Sequence, residues 1–240
     1  MPIETNTPAR WIEINDLIKR FHYQPVLNKL ELAIHDGECC LLVGDNGAGK
    51  TTLLRIIAGL TRPSQGQVTI CGEFAAGDPQ LRRRIGYVGH QPMFYQDLTA
   101  TENLNHYARL YQVNNAQAAV VDALDRAGLT QHQHQPVRTL SRGMQQRLSL
   151  VRATLHNPVI LLLDEPYTGL DQEAAKAFDA TLQYLHKPGR VVLIAAHRPQ
   201  RLLKITSHIA WLRNGVIYQH IPADQIHATP DLQHYLQEVT

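Results

Sequence analysis

The chain has 240 residues, 44% of them hydrophobic, and 23 Lys and Arg against 21 Asp and Glu give a formal net charge of +2. That apolar content is enough for one substantial core, and the charge is too small for the basic field that nucleic-acid binding requires. The N-terminus lacks the basic-then-apolar pattern of a secretion leader, no apolar run approaches the roughly 20 residues that span a bilayer, and the three cysteines have no metal-ligand spacing.

Residues 10–36 predict two short strands around a turn at Arg20-Phe21-His22-Tyr23. The apolar run Cys39-Cys40-Leu41-Leu42-Val43 predicts a buried strand. Its adjacent thiols alternate faces and cannot easily bridge; buried, reduced thiols suit a cytosol. The run leads into Gly44-Asp45-Asn46-Gly47-Ala48-Gly49-Lys50-Thr51, a complete fit to G-x-x-x-x-G-K-[ST]. Leu53, Leu54, Ile56, Ile57 and Leu60 then recur at helical spacing over residues 50–60. Strand, glycine loop and helix together are the context of a phosphate cradle. Gly44, Gly47 and Gly49 let the chain curl so that backbone N–H groups converge. The new helix adds unpaired N–H groups and a positive dipole end. Lys50 is placed for the outer phosphates and the Thr51 hydroxyl for Mg²⁺. Thr52, at the same helix start, belongs to the expected nucleotide-binding set.

Residues 67–71 alternate as a strand, and Ile85-Gly86-Tyr87-Val88-Gly89 reads as another. Arg82-Arg83-Arg84 reads as a solvated edge. From about residue 92 to 157 the chain turns helical. Thr99-x-x-Glu102 is a capping box opening a helix over 99–113. An Ala-rich amphipathic helix covers 116–127 and stops at Gly128. Ser141 caps a third helix reaching residue 155, before Asn157-Pro158. His132-Gln133-His134 has no second cluster at zinc spacing and reads as surface histidines. Strands over 159–163 and 191–195 flank a helix at 172–186. A hairpin over 209–221 turns at Asn214-Gly215, and a polar helical tail follows. The expected fold is α/β, one domain over 1–240: a mixed sheet core with N-terminal antiparallel strands and an inserted helical subdomain at about 92–157.

Ile160-Leu161-Leu162-Leu163-Asp164-Glu165 is an apolar strand ending in two acids. A strand buried on both faces releases charge only at its end. Beside a phosphate loop, Asp164 is the expected Mg²⁺ ligand, directly or through water, and Glu165, pointing the other way, is placed to polarise a water. Ser141 and Gly143, at a helix start, make a second anion site. Gln91 and His197 follow strands 85–89 and 191–195, at the carboxyl ends where such sheets bind ligands.

Taken together, the chain resembles the ATP-binding cassette family, the motor subunits of ABC transporters, over nearly all its length and in motif order. Gly44-to-Thr51 matches the family's first nucleotide motif, and Gln91 its Q-loop. Leu140-Ser141-Arg142-Gly143-Met144 matches its signature motif, and Ile160-to-Glu165 its acidic strand. Gly169-Leu170-Asp171 matches its D-loop and His197 its switch histidine. The resemblance implies a P-loop NTPase fold and ATP and Mg²⁺ as ligands, with Thr51, Gln91 and Asp164 around the metal. It implies catalysis by Glu165, His197 and Lys50, and a head-to-tail dimer with a second copy or homologue. Two ATP molecules are then clamped between the phosphate loop of one subunit and the signature helix of the other. Ser141 and Gly143 reach the γ-phosphate across the interface, and Asp171 couples the two sites. Phe21 matches the aromatic that stacks on adenine, with Tyr23 as the alternative. The signature departs from the family where Arg142 replaces glycine and Met144 replaces glutamine, which puts the usual glutamine's contacts in doubt.

The same family implies a partner integral membrane subunit, a peripheral location at the cytoplasmic face of the inner membrane, and no nucleic acid. Pro92-Met93-Phe94-Tyr95 is the expected dock for a short helix of that subunit; the alternative is core at the subdomain joint. Gly89-His90-Gln91-Pro92, Leu98-Thr99-Ala100 with Glu102-Asn103-Leu104, and the run Leu140 to Arg147 resemble the haem-exporter ATPases of cytochrome c maturation. A different small-exporter cargo, a soluble cassette ATPase outside transport, and a P-loop kinase are the other readings.

Overall fold

Two 12-residue strands, β1 (Arg10–Phe21) and β2 (Gln24–His35), pair antiparallel across a tight turn. The computed structural model describes residues 10–72, 74–75 and 78–238; the sequence stretch read for a leader lies largely outside them. The strands are not short, as the sequence suggests. Their register shifts between Ile14 and Leu17, and Asp16 and Lys29 sit at φ 47°. Such bulges break the two-residue alternation by which a strand is recognised without ending it. β3 (Cys39–Val43) is buried throughout, and α1 (Lys50–Ile57) follows the glycine loop. β4 (Gln65–Ile70) and β5 (Phe74–Ala75) complete an antiparallel sheet in the order β2-β1-β4-β5.

β6 (Ile85–Val88) ends one residue before the expected Gly89. Three helices come next: α2 (Ala100–Leu110), α3 (Ala116–Arg126) and α4 (Arg142–Thr154). The capping box is present: Glu102 N–H donates to Thr99 Oγ1 and Thr99 N–H to Glu102 Oε2. Leu104 and Ala108, Val120 and Leu124, and Leu148 and Val151 form an apolar cluster among these helices. α4 also packs on β6. A Cβ on Gly86 would stand 2.2 Å from Ala153 O, so only glycine admits the helix there.

β7 (Ile160–Asp164), α5 (Gln172–Leu185), β8 (Val191–Ala195), β9 (His208–Arg213) and β10 (Val216–Pro222) follow. The main sheet runs β10-β9-β3-β8-β7-β6, with β6, β7, β8, β3 and β9 parallel and β10 antiparallel. Asn214 and Gly215 both take positive φ, 51° and 78°, as a two-residue hairpin requires. α1 lies between the two sheets. Its Leu53, Leu54, Ile56 and Ile57 pack with Ile12 and Leu30 on one side and Cys40, Leu42 and Leu193 on the other. The opposite face of the main sheet carries Cys39, Leu41 and Leu163 and packs on Phe178 and Leu182 of α5. The two thiols thus occupy opposite faces, both free. Burial pushes Cys39 up to about 12 and raises Cys40 as well. α6 (Pro230–Glu238) is not merely polar: Leu232 and Leu236 are buried against the same face.

Candidate functional site

Because β3, β6, β7 and β8 are parallel, their carboxyl ends meet along one edge, and the loops after them converge there. After Val43 the chain curls through Gly44, Gly47 and Gly49 at φ 154°, 82° and 109°. A Cβ on Gly44 would stand 2.3 Å from Leu212 O of β9, which seats the loop against that strand. Gly49 caps α1 in the left-handed conformation. No side chain caps the helix and no acid occupies its first turn, so its N-terminal N–H groups remain suited to an anion. Lys50 is buried, and its Nζ donates to Gly44 O at 2.6 Å and Asp45 O at 3.1 Å. Burial pulls its pKa down; the charges of Glu165, Asp164 and Asp45 work against that.

Thr51 Oγ1 donates to Asp164 Oδ1 at 2.9 Å. Asp164 is 1% exposed, and burial raises its pKa, opposed by the bonds from Thr51 and Tyr87 and by the charge of His90. A hydroxyl held beside a buried carboxylate suits a hard divalent cation. Among the described residues no group of three or more His, Cys, Asp and Glu could hold a metal. Mg²⁺ does not need one, because it binds through one or two carboxylates plus substrate phosphates and water. The residues therefore fit the ion.

Glu165 lies just past β7 rather than in it, at φ 51°, with its N–H donating to Ala195 O at 2.9 Å. A non-glycine residue in the left-handed region is strained and persists only where its surroundings hold it. Here the Glu165 carboxylate meets His197 Nδ1 at 2.7 Å, beyond the end of β8. Lys50, Thr51, Asp164, Glu165 and His197 are thus gathered at one edge. That set has phosphate-binding donors, a cation seat and a carboxylate oriented by an imidazole.

The remaining expected residues stand elsewhere. Ser141 caps α4, its Oγ accepting from Met144 N–H at 3.3 Å. Asp171 caps α5 by accepting from Ala174 N–H at 2.8 Å. Gly143 faces Ala174, where a Cβ would come within 2.8 Å of the Ala174 Cβ. Ser141, Gly143 and Asp171 therefore form a second group at the paired starts of α4 and α5. Arg142 lies across Gly169, its Nε 2.5 Å from where a Cβ would be. Gln145 Nε2 donates to Val137 O and Leu140 O, both at 3.1 Å, bracing the loop before the helix. Gln91 is exposed beyond β6. Phe21 is half exposed with the Lys19 ammonium 4.9 Å over its ring, and Tyr23 is 98% exposed beside it. Met93 and Tyr95 are exposed, while Phe94 packs on the helical cluster under Arg152, so the expected dock is part surface and part joint. His134 is exposed and His132 bonds Gln135, as surface histidines do.

Sequence reasoning did not place Tyr87 or His90 beside Asp164. Their closeness comes from β6 pairing with β7, Val88 opposite Leu163, although the helical insert separates the two strands in the chain.

A protein-family model described as ABC transporter matches residues 27–168. The ABC transporter ATP-binding protein NatA of Bacillus subtilis (strain 168) is 34% identical over 217 residues, covering 87% of this chain and 88% of that protein. The cytochrome c biogenesis ATP-binding export protein CcmA of Cupriavidus pinatubonensis is 38% identical over 188 residues, covering 78% and 83%. Among solved structures, a dimeric ATP-binding cassette in a post-hydrolysis state, bound to ADP and phosphate, superposes with TM-score 0.80 at 25% identity, covering 88% of this chain and 98% of that one.

Proposed function

The chain belongs to the ABC transporter family of ATP-binding proteins, and on that premise we propose that it is the ATP-hydrolysing motor of a transporter whose membrane-spanning part is a separate subunit. It is an ATPase of the cassette fold. The observation that carries the catalytic reading is the 2.7 Å contact between Glu165 and His197, at the edge that also presents Lys50, Thr51 and Asp164.

In this reading the chain works as one nucleotide-binding domain with residues 92–157 as its helical subdomain. The loop amides of Gly44 to Thr52 and the Lys50 ammonium bind the β- and γ-phosphates of ATP, giving up the carbonyls that Lys50 bonds now. Phe21, or Tyr23 beside it, stacks on adenine. Thr51, Asp164 and Gln91 would hold Mg²⁺, which when bound neutralises charge on the phosphate oxygens. The Glu165 carboxylate orients the attacking water and accepts its proton. His197 holds Glu165 in register and contacts the γ-phosphate. Ser141 and Gly143 complete the site of a second copy, and Asp171 links the two. Likeness to a cassette solved as a dimer supports that arrangement. Among the described residues no helix is long and apolar enough to cross a membrane. The proposed place is the cytoplasmic face of the inner membrane, docked through Met93 and Tyr95.

Haem export for cytochrome c maturation is the proposed cargo reading, supported by the resemblance around His90 and Arg142-Gly143-Met144 and by the relative named for that process. In cells lacking the chain, the wild type should restore covalent haem attachment to cytochrome c and Glu165→Gln should not. Normal haem attachment in the absence of the chain removes this cargo and leaves the ATPase reading standing.

A further inference from the structure

The loops that follow β7 and β8 carry Glu165 and His197, and one side chain of α5 bonds to both loops. Tyr167 stands two residues after Glu165, and Arg201 four after His197. The Tyr167 hydroxyl donates to Asp179 Oδ1 at 2.5 Å, and Arg201 Nη1 donates to Asp179 Oδ2 at 3.1 Å. The Tyr167 ring meets the fully buried Phe178 edge-on, with centroids 5.1 Å apart, so the phenol is held at its ring and at its hydroxyl. Burial, then the bond and charge of Asp179, raise the pKa of that hydroxyl, so it keeps its proton and donates. On the Glu165 side the loop closes through Thr168 N–H to Glu165 O at 3.1 Å. On the His197 side Leu202 and Leu203 N–H both donate to Pro199 O, and the buried Leu202 anchors that turn next to Arg201.

The sheet fixes the backbone of Glu165 through its N–H bond to Ala195 O. It does not fix His197, which lies past the end of β8 with a side chain 40% exposed. The place of that imidazole against Glu165 therefore depends on the path of its loop. We propose that Tyr167, Asp179 and Arg201 are positioning residues for ATP hydrolysis: Asp179 ties the loop after Glu165 to the loop after His197 and so keeps the carboxylate and imidazole in contact. A displacement of about 1 Å is enough to spoil such a pair and slow a reaction severely. The Asp179 and Arg201 side chains are 30% and 41% exposed, so water screens their ion pair, and the bond from Tyr167 is the stronger half of the tie. The proposal rests on the reading of Glu165 as the base.

The test is a double-mutant cycle on the full chain, with turnover read by phosphate release and ATP affinity by calorimetry. Tyr167→Phe keeps the ring on Phe178 and removes only the hydroxyl. It should lower kcat about three- to tenfold, the range of one lost hydrogen bond, and leave the Kd for ATP unchanged. In an Asp179→Ala background the same change should add nothing, because the hydroxyl has lost its acceptor. The His197 imidazole resonance, identified by its disappearance in His197→Ala, should shift in Tyr167→Phe. Wild-type kcat in Tyr167→Phe overturns the proposal, and so do effects that multiply in the double variant. A His197 resonance that stays in place while Tm falls also overturns it, because the bridge then serves stability alone. Wild-type turnover in Glu165→Gln removes the base reading, and the bridge falls with it; an inactive Glu165→Gln beside an unimpaired Tyr167→Phe removes the bridge only.

Discussion

Glu165 is held by its own backbone as much as by its neighbours: the left-handed φ of 51° and the N–H bond to Ala195 O turn its carboxylate to His197. Glu165→Gln keeps that shape and loses the base, so phosphate release should fall by roughly 10²–10⁴ while ATP still binds. Turnover at the wild-type rate would remove Glu165 from the role. Lys50→Ala deletes charge-assisted bonds worth about 1.5–3 kcal/mol each, so ATP affinity measured by calorimetry should drop by at least about tenfold. Affinity equal to the wild type would contradict the cradle. Glu165 was legible in the sequence because it follows an apolar run, and a strand buried on both faces has only its end for charged chemistry; Lys50 was legible because it completes the glycine-rich phosphate motif. The approach of Tyr87 and His90 to Asp164 was not legible. Each reaches the site by packing between segments distant in sequence, and nothing local to them marks it.

The elements show where periodicity sufficed and where it failed. The caps at Thr99 and Ser141 and the Asn214-Gly215 turn were readable because their chemistry is local. The bulged length of β1 and β2 and the docking of α6 depend on partners that the sequence does not name. His156, just past α4, stacks on Tyr111 with centroids 4.0 Å apart and bonds Ile85 O at 3.2 Å. Burial lowers its pKa from the ordinary 6.5 to about 4, so the folded state resists a proton that the unfolded chain accepts. Its contribution to stability is complete above pH 6.5 and is lost as pH falls toward about 4. His156→Phe should therefore flatten the decline of Tm across that window; an identical slope in both proteins would exclude His156 as its source. At the joint of the helical insert, Met93→Asp and Tyr95→Asp should leave ATP binding intact. In membranes carrying the partner subunit they should abolish transport; transport at wild-type rate would place the dock elsewhere.

At the scale of the whole molecule, the site exists because five parallel strands end on one edge, and the chain carries a second, separate group of residues at two helix starts. The first group holds Lys50, Thr51, Asp164, Glu165 and His197; the second holds Ser141, Gly143 and Asp171 at the starts of α4 and α5. A single chain uses the second group to cap its own helices and close their packing. In the proposed pair of chains each second group faces the first group of the other, across bound ATP. The most direct measurement is a structure of Glu165→Gln with ATP and Mg²⁺ under conditions where the chain associates. It should show two copies head to tail, with Ser141 Oγ and Gly143 N–H within hydrogen-bond distance of the γ-phosphate held by the other copy's loop. A nucleotide-loaded form in which the start of α4 lies remote from every bound ATP would contradict it.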